Sequence, residues 1–321
     1  MKYYRVDDIK KFLATLMEEK IVDALILPLK SYKEESFHPF LIKEKSLLEK
    51  SEPEIFCNGI NTAREVSKLT FKGALPFKTG VVLKPCELRA YRELIKLNQI
   101  NPENIITISM DCNGFENREI CEICLNFTPE NADIKILSIG VDKYIIETEL
   151  ELSLEENNVI LEKRESELTK IIENRKKIRE EKLTEVKANF RQLLKNCIVC
   201  NNCMRVCPIC FCQECFFVSP ALKNDSVTYL MRASRLNGLD FPENKLLFHL
   251  GRMNHMSVSC VNCGVCEDSC PAKIPVAQMF AAAGDEVKKL FNYEPGRDLE
   301  EKIPFTCYQH DELHDFEKQY Y

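Results

Sequence analysis

The segment Cys197-Ile198-Val199-Cys200-Asn201-Asn202-Cys203-Met204-Arg205-Val206-Cys207-Pro208 contains four cysteines that are separated by two, two and three residues. The same spacing returns in Cys260-Val261-Asn262-Cys263-Gly264-Val265-Cys266-Glu267-Asp268-Ser269-Cys270-Pro271, which also ends in proline. Bacterial-type ferredoxins use this spacing to bind cubane iron–sulfur clusters. Disulfides or structural zinc would remain open for one such run, but two identical runs favour two [4Fe–4S] clusters.

The spacing also predicts how the ligands are shared between the clusters. Three thiolates two residues apart can surround one face of a cluster, whereas the fourth lies a helical turn further on and binds the other cluster. We therefore expect a first cluster on Cys197, Cys200, Cys203 and Cys270, and a second on Cys260, Cys263, Cys266 and Cys207.

Length and composition limit the class of protein. The 321 residues are enough for two domains, and the net charge of −6 comes without the basic block that a nucleic-acid partner would favour. The N-terminus, Met1–Asp8, has no apolar signal region, and no apolar stretch approaches the ~18 residues of a membrane span. Seventeen cysteines in such a chain indicate reduced, metal-bound thiols in the cytoplasm, and oxidation-prone clusters indicate anaerobic metabolism.

The first half of the chain alternates helix-like and strand-like segments. A helical stripe covers Val6–Lys20, and apolar runs at Val22–Leu29, Gly80–Leu83 and Asn104–Met110 read as strands. Further predicted elements are helices at Thr62–Lys68 and Glu87–Leu97 and a later strand, placed at an edge, at Tyr144–Leu152. This alternation predicts an α/β domain over residues 1–153 with partly parallel strands.

The second half of the sequence reads as helical. Residues 154–196 are rich in charge and predict a connector of one or two amphipathic helices. Residues 197–321 hold both cysteine runs, 52 residues apart, with helices expected at Thr228–Leu236, Leu246–Met253 and Val276–Phe291. The sequence thus predicts an α+β multidomain protein, with an N-terminal α/β domain followed by an all-α two-cluster ferredoxin domain and a C-terminal tail.

A second cysteine set lies in the N-terminal half. Cys86 and Cys112 each follow a predicted strand, and ligands of open α/β sheets collect at the carboxyl ends of strands. Cys86 also precedes a helix, whose N-terminus favours an anionic group. Cys121 and Cys124 add two thiols. Spacing alone favours buried structural cysteines here over a cluster.

A family resemblance supplies the further argument. Lys84–Arg89, Ser109–Gly114 and the Cys-x-x-Cys segment Cys121–Cys124 resemble the cluster-binding segments of the β subunits of coenzyme F420-reducing hydrogenases and formate dehydrogenases. The C-terminal half is most similar to the formate dehydrogenase β subunit, through Cys207–Cys215, Phe248–Pro275 and Phe291–Gly296. The resemblance implies a third [4Fe–4S] cluster, held by Cys86, Cys112, Cys121 and Cys124.

One departure from that family concerns the flavin. Members usually carry a glycine pair near the start, in the region that binds FAD, where this chain reads Val6-Asp7-Asp8-Ile9. Asp7 and Asp8 would repel a pyrophosphate that glycine allows to approach closely. The stretch between Cys112 and Cys121 is also shorter than in relatives. We therefore expect a chain trimmed around the flavin pocket, with FAD possible but doubtful.

These features predict a cytoplasmic electron-transfer subunit with no catalytic residue of its own. The resemblance implies one partner that is a formate dehydrogenase-like (molybdenum or tungsten) or hydrogenase catalytic subunit, and another that carries flavin or resembles heterodisulfide reductase. The alternative is an FAD-containing β subunit that itself oxidises or reduces F420 or NAD(P). A third hypothesis, an iron–sulfur regulator, would need a basic DNA-binding helix, which the sequence lacks.

Several other residues near the cysteine runs have open roles. Cys210, Cys212 and Cys215 are interpreted as lining the first cluster rather than binding a further metal, and Cys57 and Cys307 as small apolar residues. His249 and His255 flank Arg252 in sequence. Helix packing is the expected role of the histidines, and solvent exposure that of Arg252, with tuning of a cluster as the alternative.

Overall fold

The computed structural model describes residues 1–31, 36–55, 59–115, 118–140, 142–156, 162–219, 226–236 and 245–307. Its strands lie in the first half of the chain: β1 (Lys2–Val6), β2 (Ala24–Lys30), β3 (Phe37–Ile42), β4 (Thr79–Leu83), β5 (Ile105–Met110), β6 (Ile134–Gly140) and β7 (Lys143–Thr148).

Helices occur throughout the described residues. Those among the strands are α1 (Ile9–Glu18), α2 (Thr62–Thr70), α3 (Pro85–Lys96) and α4 (Glu119–Glu122). Those that follow are α5 (Glu162–Ala188), α6 (Phe190–Leu193), α7 (Asn202–Arg205), α8 (Ser226–Leu236), α9 (Lys245–Met256), α10 (Val265–Asp268) and α11 (Val276–Phe291). From Glu162 onward the described residues form helices and loops without a strand.

The strands form one mixed sheet in the order β1-β7-β6-β5-β4-β2-β3. Its centre is parallel, from β2 through β4 and β5 to β6, while β3 and β7 pair antiparallel on either side and β1 closes one edge. Since β4 and β5 are adjacent and parallel, with Leu83 opposite Ser109, their carboxyl ends meet at one edge of the sheet. The chain is therefore an α+β protein with a mixed sheet.

The two faces of the sheet are covered differently. On one face, Phe12, Leu13 and Leu16 of α1 form a core with Leu25 and Ile146 of the strands. The helices α2 and α3 cover the other face, and the apolar side chains of Ile209 and Val261 join that core. Ile209 and Val261 belong to the cysteine-rich segments, so these segments pack against the helical layer of the sheet.

Long-range pairing changed some predicted elements. The helix predicted from Val6 begins at Ile9, because residues 2–6 pair with β7 as a strand and the carboxylate of Asp8 caps α1. For the same reason β7 is an inner strand and not an edge strand. β1, β3 and β6 were not predicted, since short strands gain their stability from neighbours rather than from local preference.

The connector helix is less amphipathic than its sequence indicates. Leu183 and Val186, near the C-terminal end of α5, are buried, whereas Ile171 is 42% exposed. Arg179 of α5 holds the helix against α11 through a two-point ion pair with Asp285, at 2.7 and 2.9 Å. The buried apolar side chains of α5 therefore lie in its second half, while Arg164 in the first half pairs with Asp111.

The segment after α11 is attached to α3 by buried polar contacts. The hydroxyl of Tyr293 donates to the carboxylate of Glu93, which is fully buried, over 2.8 Å. Arg92 donates from Nε to the carbonyl oxygen of Gly296 over 2.6 Å, and Arg89 donates to that of Pro295 over 2.9 Å. The C-terminal part of the chain is thus fixed to the sheet layer along one helix.

No helix of the described residues combines the length and apolar character that crossing a bilayer requires.

Candidate metal centres

The first group of thiols closes around one small cavity. Cys197, Cys200 and Cys203 line it from the first cysteine run, and Cys270 lines it from the end of the second run. Cys203 and Cys270 are buried, and the other two are partly buried. The four residues expected to share a cluster are therefore adjacent, although Cys270 is distant from the others in sequence.

The second group has the complementary composition, with three cysteines of the second run and one of the first. Cys207, from the end of the first run, interacts electrostatically with Cys260, Cys263 and Cys266 of the second run. The side chains of Cys207 and Cys263 also contact the core formed with α2 and α3. Each group thus combines three thiols of one run with the last thiol of the other.

The loops that carry these thiols have matching backbones. Val199 and Asn201 of the first run have φ values of 49° and 62°, and Asn262 and Gly264 of the second run have 56° and 79°. A one-turn helix follows in both runs, α7 and α10. Left-handed residues at these positions turn successive cysteines inward, which explains asparagine and glycine at three of the four positions. A Cβ on Gly264 would lie 2.4 Å from the Arg118 side chain.

Burial dominates the electrostatics of the thiols. It raises the pKa of Cys203 and Cys260 to about 11 and that of Cys263 to about 12, and it also raises the pKa of Cys266 well above its ordinary value. Neighbouring cysteines add to the increase, because several thiolates cannot be charged side by side without a cation. Such a site retains its protons until metal ions replace them.

Helix α9 contributes two polar side chains to the first group. Arg252, which is 3% exposed, donates from Nη1 to Sγ of Cys203 over 3.1 Å and from Nη2 to the carbonyl oxygen of Cys203 over 3.2 Å. His249, 2% exposed, has Nε2 at 3.3 Å from Sγ of Cys197. Burial, reinforced by Arg252, lowers the pKa of His249 to about 4, so the neutral ring can donate this hydrogen bond. The expectation of an exposed Arg252 was wrong, and His255 is exposed beside Phe217.

The N-terminal cysteines form a third group. Cys86 interacts with Cys112 and Cys124, and Cys112 with Cys121 and Cys124. Burial raises the pKa of Cys112 to about 11 and that of Cys86 as well. Cys86 also interacts with Cys263, so the third group borders the second.

Local capping explains the position of Cys86. Pro85 occupies the first turn of α3, where its missing N–H costs nothing. The carboxylate of Glu87 accepts from the backbone N–H of Lys84 over 3.0 Å and from the N–H and hydroxyl of Thr62 over 2.8 Å. The start of α3, and with it Cys86, is therefore fixed at the carboxyl end of β4.

Two buried cations lie beside this third group. Lys84 donates from Nζ to the carbonyl oxygen of Pro53 over 3.2 Å and lies near Cys112 and Cys86; burial lowers its pKa, while these thiols oppose the decrease. Arg118 donates to the carbonyl oxygen of Cys263 over 2.8 Å and forms an ion pair with Asp268. Arg118 thus connects the loop before Cys121 to the second cysteine run.

The remaining cysteines are separate from these groups or lie at their margin. Cys210 contacts Cys207 of the second group rather than the first group, and this hydrogen bond lowers the pKa of Cys207. Cys212 is exposed, Cys215 lies 3.7 Å from Sδ of Met204, and Cys57 falls outside the described residues. Cys307 is partly buried, with its Sγ 3.8 Å from the carbonyl oxygen of Ile303. Nowhere in the described ranges do three or more His, Cys, Asp or Glu side chains meet closely enough to hold a single metal ion.

A cavity of about 1090 Å³ lies between the sheet and the second cysteine run. Its charged lining residues are Glu54, Arg118, Glu119, Glu267, Asp268 and Lys273. Burial raises the pKa of Glu267 to about 7. The carboxylates outnumber the cations, and Asp268 already neutralises Arg118.

Comparisons with known proteins identify a cluster-binding domain in the second half of the chain. The 4Fe-4S dicluster domain family matches residues 192–274, so such a domain is present in this part of the chain. The β subunit of F420-dependent formate dehydrogenase from Methanocaldococcus jannaschii is 25% identical, over 88% of this chain and 89% of its own length. The β subunit of F420-dependent formate dehydrogenase 1 from Methanococcus maripaludis is 29% identical, over 70% and 74%.

The chain is similar to formate dehydrogenase β subunits along most of its length. A solved structure, the xenon-derivatised F420-reducing [NiFe] hydrogenase complex from Methanosarcina barkeri, contains a chain that is 13% identical with a TM-score of 0.44. That match covers 57% of this chain and 92% of the hydrogenase chain.

The sequence patterns did not reveal the roles of three polar residues around the thiols of this chain. Lys84 and Arg118 were not singled out as charges beside the N-terminal group, and the burial of Arg252 was not expected. The available signals were modest: Arg118 is three residues before Cys121, and Arg252 is three residues after His249 on one helix face.

Proposed function

We propose that the chain is an iron–sulfur electron-transfer subunit of an oxidoreductase complex, with three [4Fe–4S] clusters. The first is assigned to Cys197, Cys200, Cys203 and Cys270, the second to Cys260, Cys263, Cys266 and Cys207, and the third to Cys86, Cys112, Cys121 and Cys124. Four buried or partly buried thiols in each group supply the ligand number and type that a cubane needs. A cubane spaces its four sulfurs more widely than a single ion does, which is compatible with the groups described above.

The continuity of the three groups is the observation that carries this proposal. Cys86 of the third group neighbours Cys263 of the second, and Cys203 and Cys207 of the first run belong to the first and second groups. Clusters held there would form one row in the order third, second, first. When bound, they would supply one-electron chemistry, and the chain's own residues would fix their positions and potentials.

The proposal includes a division of the chain into parts. Residues 1–153 would form an α/β domain with the third cluster, 154–196 a helical connector, and 197–321 an all-α two-cluster ferredoxin domain with a C-terminal tail. The helices and loops from Glu162 onward support the all-α assignment. The tight contacts of Arg89 and Arg92 with residues 295–296 indicate that these parts do not move independently.

The relatives' names support a catalytic partner that is formate dehydrogenase-like, or a hydrogenase as in the matched complex. We propose a second partner that carries flavin or resembles heterodisulfide reductase, because a row of clusters needs an acceptor as well as a donor. The reduced thiols and oxidation-prone clusters support a cytoplasmic location in an anaerobic cell.

Iron analysis of the full chain, purified or reconstituted without oxygen, tests the proposal. Three cubanes give about twelve iron atoms per chain, and two give about eight. About eight would remove the third cluster, and fewer than four would contradict the proposal as a whole. Purification of the native complex, with its subunits identified, would test the partners.

The alternative function is an FAD-containing subunit that itself acts on F420 or NAD(P). The large cavity beside the third group favours a ligand of flavin size. Its lining is a poor match for a pyrophosphate, however, because Glu54 and Glu119 face the cavity and Asp268 neutralises Arg118. Lys273 is the lining cation that remains to oppose these carboxylates. Tyr144, next to Asp8, donates to Glu54 over 2.6 Å and holds a further carboxylate at this edge.

Flavin release distinguishes the two functions. Heat denaturation of the anaerobically purified chain should release no stoichiometric flavin if the chain is purely an electron relay. About one flavin per chain would contradict that view and favour the alternative.

A further inference from the structure

Arg252 is a buried cation that is shared between two cysteine groups. Its Nη1 lies 3.1 Å from Sγ of Cys203 in the first group, and its charge also acts on Cys207 and Cys266 in the second. A guanidinium keeps its positive charge in proteins, so Arg252 is charged beside these thiols. The guanidinium therefore stands at the junction of the first and second groups.

Within the part of the chain that the structure describes, no carboxylate forms an ion pair with Arg252. The rings of Phe280 and Phe248 cover it at 5.0 and 5.7 Å, and its Nε has no hydrogen-bond partner among the described residues. Arg118, in contrast, is paired with Asp268. A charge that is buried and unpaired acts more strongly on its neighbours than one in water.

We propose that Arg252 is a positioning residue that raises the reduction potential of the first cluster, and to a smaller extent that of the second, by holding a positive charge and an N–H donor against their cysteine sulfurs. This inference rests on the proposed function, since it presupposes clusters on these thiols. Each added electron makes a thiolate-bound cluster more negative by one unit. A fixed cation nearby stabilises that reduced form, and hydrogen bonds to the sulfurs act in the same direction.

The geometry predicts an order of effects. The first cluster feels both the hydrogen bond to Cys203 and the charge, whereas the second feels the charge alone through Cys207 and Cys266. Nε2 of His249 also lies 3.3 Å from Sγ of Cys197 in the first group. Loss of Arg252 should therefore lower the first potential more than the second.

The test uses the full chain with its clusters, titrated with dithionite and followed by electron paramagnetic resonance. Arg252→Met removes charge and donors at similar volume, whereas Arg252→Lys keeps the charge but loses the planar fork. Arg205→Met is the matched control, because Arg205 lies between Cys203 and Cys207 in sequence but is exposed, and water screens its charge.

At a fixed solution potential, Arg252→Met should decrease the reduced-to-oxidised ratio of the first cluster about tenfold, or about 59 mV for one electron. Arg252→Lys should shift it less, in the same direction, and Arg205→Met should shift it little. Full iron content in Arg252→Met with potentials equal to those of Arg205→Met would overturn the inference and leave the proposed function standing. A wild-type chain without cubanes would overturn both.

A measurement on the wild-type chain covers the case in which the Arg252 variants lose iron. With arginine labelled by nitrogen-15, electron–nuclear double resonance of the reduced first cluster should show coupling to an arginine nitrogen. The arginine nitrogen-15 signal should be absent when only residues other than arginine carry the label. Absence of that coupling would overturn the inference.

Discussion

Arg118 and Asp268 form a two-point ion pair that joins the loop before Cys121 to the second cysteine run. Nε of Arg118 lies 3.1 Å from Oδ1 of Asp268, and Nη2 contacts Oδ2. The side chains are 3% and 18% exposed, and Arg118 also holds the carbonyl oxygen of Cys263. This pair is a direct link between the third and second thiol groups.

Loss of Arg118 should destabilise the protein strongly. Arg118→Met leaves Asp268 without its partner in a poorly hydrated site, and breaking such a pair costs about 3–5 kcal/mol of unfolding free energy. The control Lys182→Met breaks an exposed pair with Glu122, which is worth about 1 kcal/mol or less. Denaturant unfolding of the anaerobic protein measures both; equal shifts in midpoint would refute the role of the buried pair.

Gly296 should not tolerate a side chain. Its φ is +67°, and a Cβ there would lie 2.0 Å from the carbonyl oxygen of Arg89. Gly296→Ala should therefore cost well over about 1 kcal/mol and loosen residues 293–301 from α3. Gly140→Ala is the control, since nothing lies within 4 Å of its added Cβ. Thermal unfolding and limited proteolysis measure the effect, and similar melting of the two variants would contradict it.

One substitution can test whether the fourth cysteine of each run binds the cluster of the other run. Cys207→Ala should damage the cluster assigned to Cys260, Cys263 and Cys266, not the one assigned to the rest of its own run. Cys212→Ala removes an exposed cysteine nearby and should leave iron content unchanged. Iron analysis and electron paramagnetic resonance of each variant provide the measurement. Loss of the first-cluster signal in Cys207→Ala would reverse the assignment.

The Tyr293–Glu93 contact should make stability depend on alkaline pH. Burial and the Glu93 carboxylate raise the pKa of Tyr293 above its ordinary value of 10.0. Near and above pH 10 the unfolded chain loses this proton while the folded chain keeps it, so the contribution of Tyr293 is complete below pH 10 and decreases as the pH rises.

The variant Tyr293→Phe separates this effect from other alkaline effects. It should lose about 1 kcal/mol at pH 8, where it lacks the hydrogen bond to Glu93, and should lose less additional stability between pH 8 and 10.5 than the wild type. Unfolding midpoints at both pH values, with iron content checked, give the comparison. Parallel decreases in the two proteins would show that Tyr293 does not contribute.

Much of the N-terminal fold could be predicted from local sequence patterns. The strands at Gly80–Leu83 and Asn104–Met110 and the helix between them are present, and because β4 and β5 are adjacent and parallel, Cys86 and Cys112 lie at the same edge. The strand at Lys2–Val6 could not be predicted, since its pairing with Thr148 and its neighbours spans nearly the whole domain.

Polar residues around the thiols were harder to predict than the thiols themselves. Phe248, His249 and Arg252 share the buried face of α9, but an arginine on a helix ordinarily indicates exposure. The burial of Arg252 depends on Cys203 and on two phenylalanine rings that come from elsewhere in the sequence.

The sequence alone determined the two cysteine runs, their match to a two-cluster domain and the kinship with formate dehydrogenase β subunits, because ligand spacing is a local property of the chain. Only the tertiary structure decided that the third group borders the second and that Arg252 lies between the first and second. Packing of segments that are distant in sequence brings these thiol groups and Arg252 together. The burial and the electrostatic surroundings of each side chain therefore depend on all the segments that contact it.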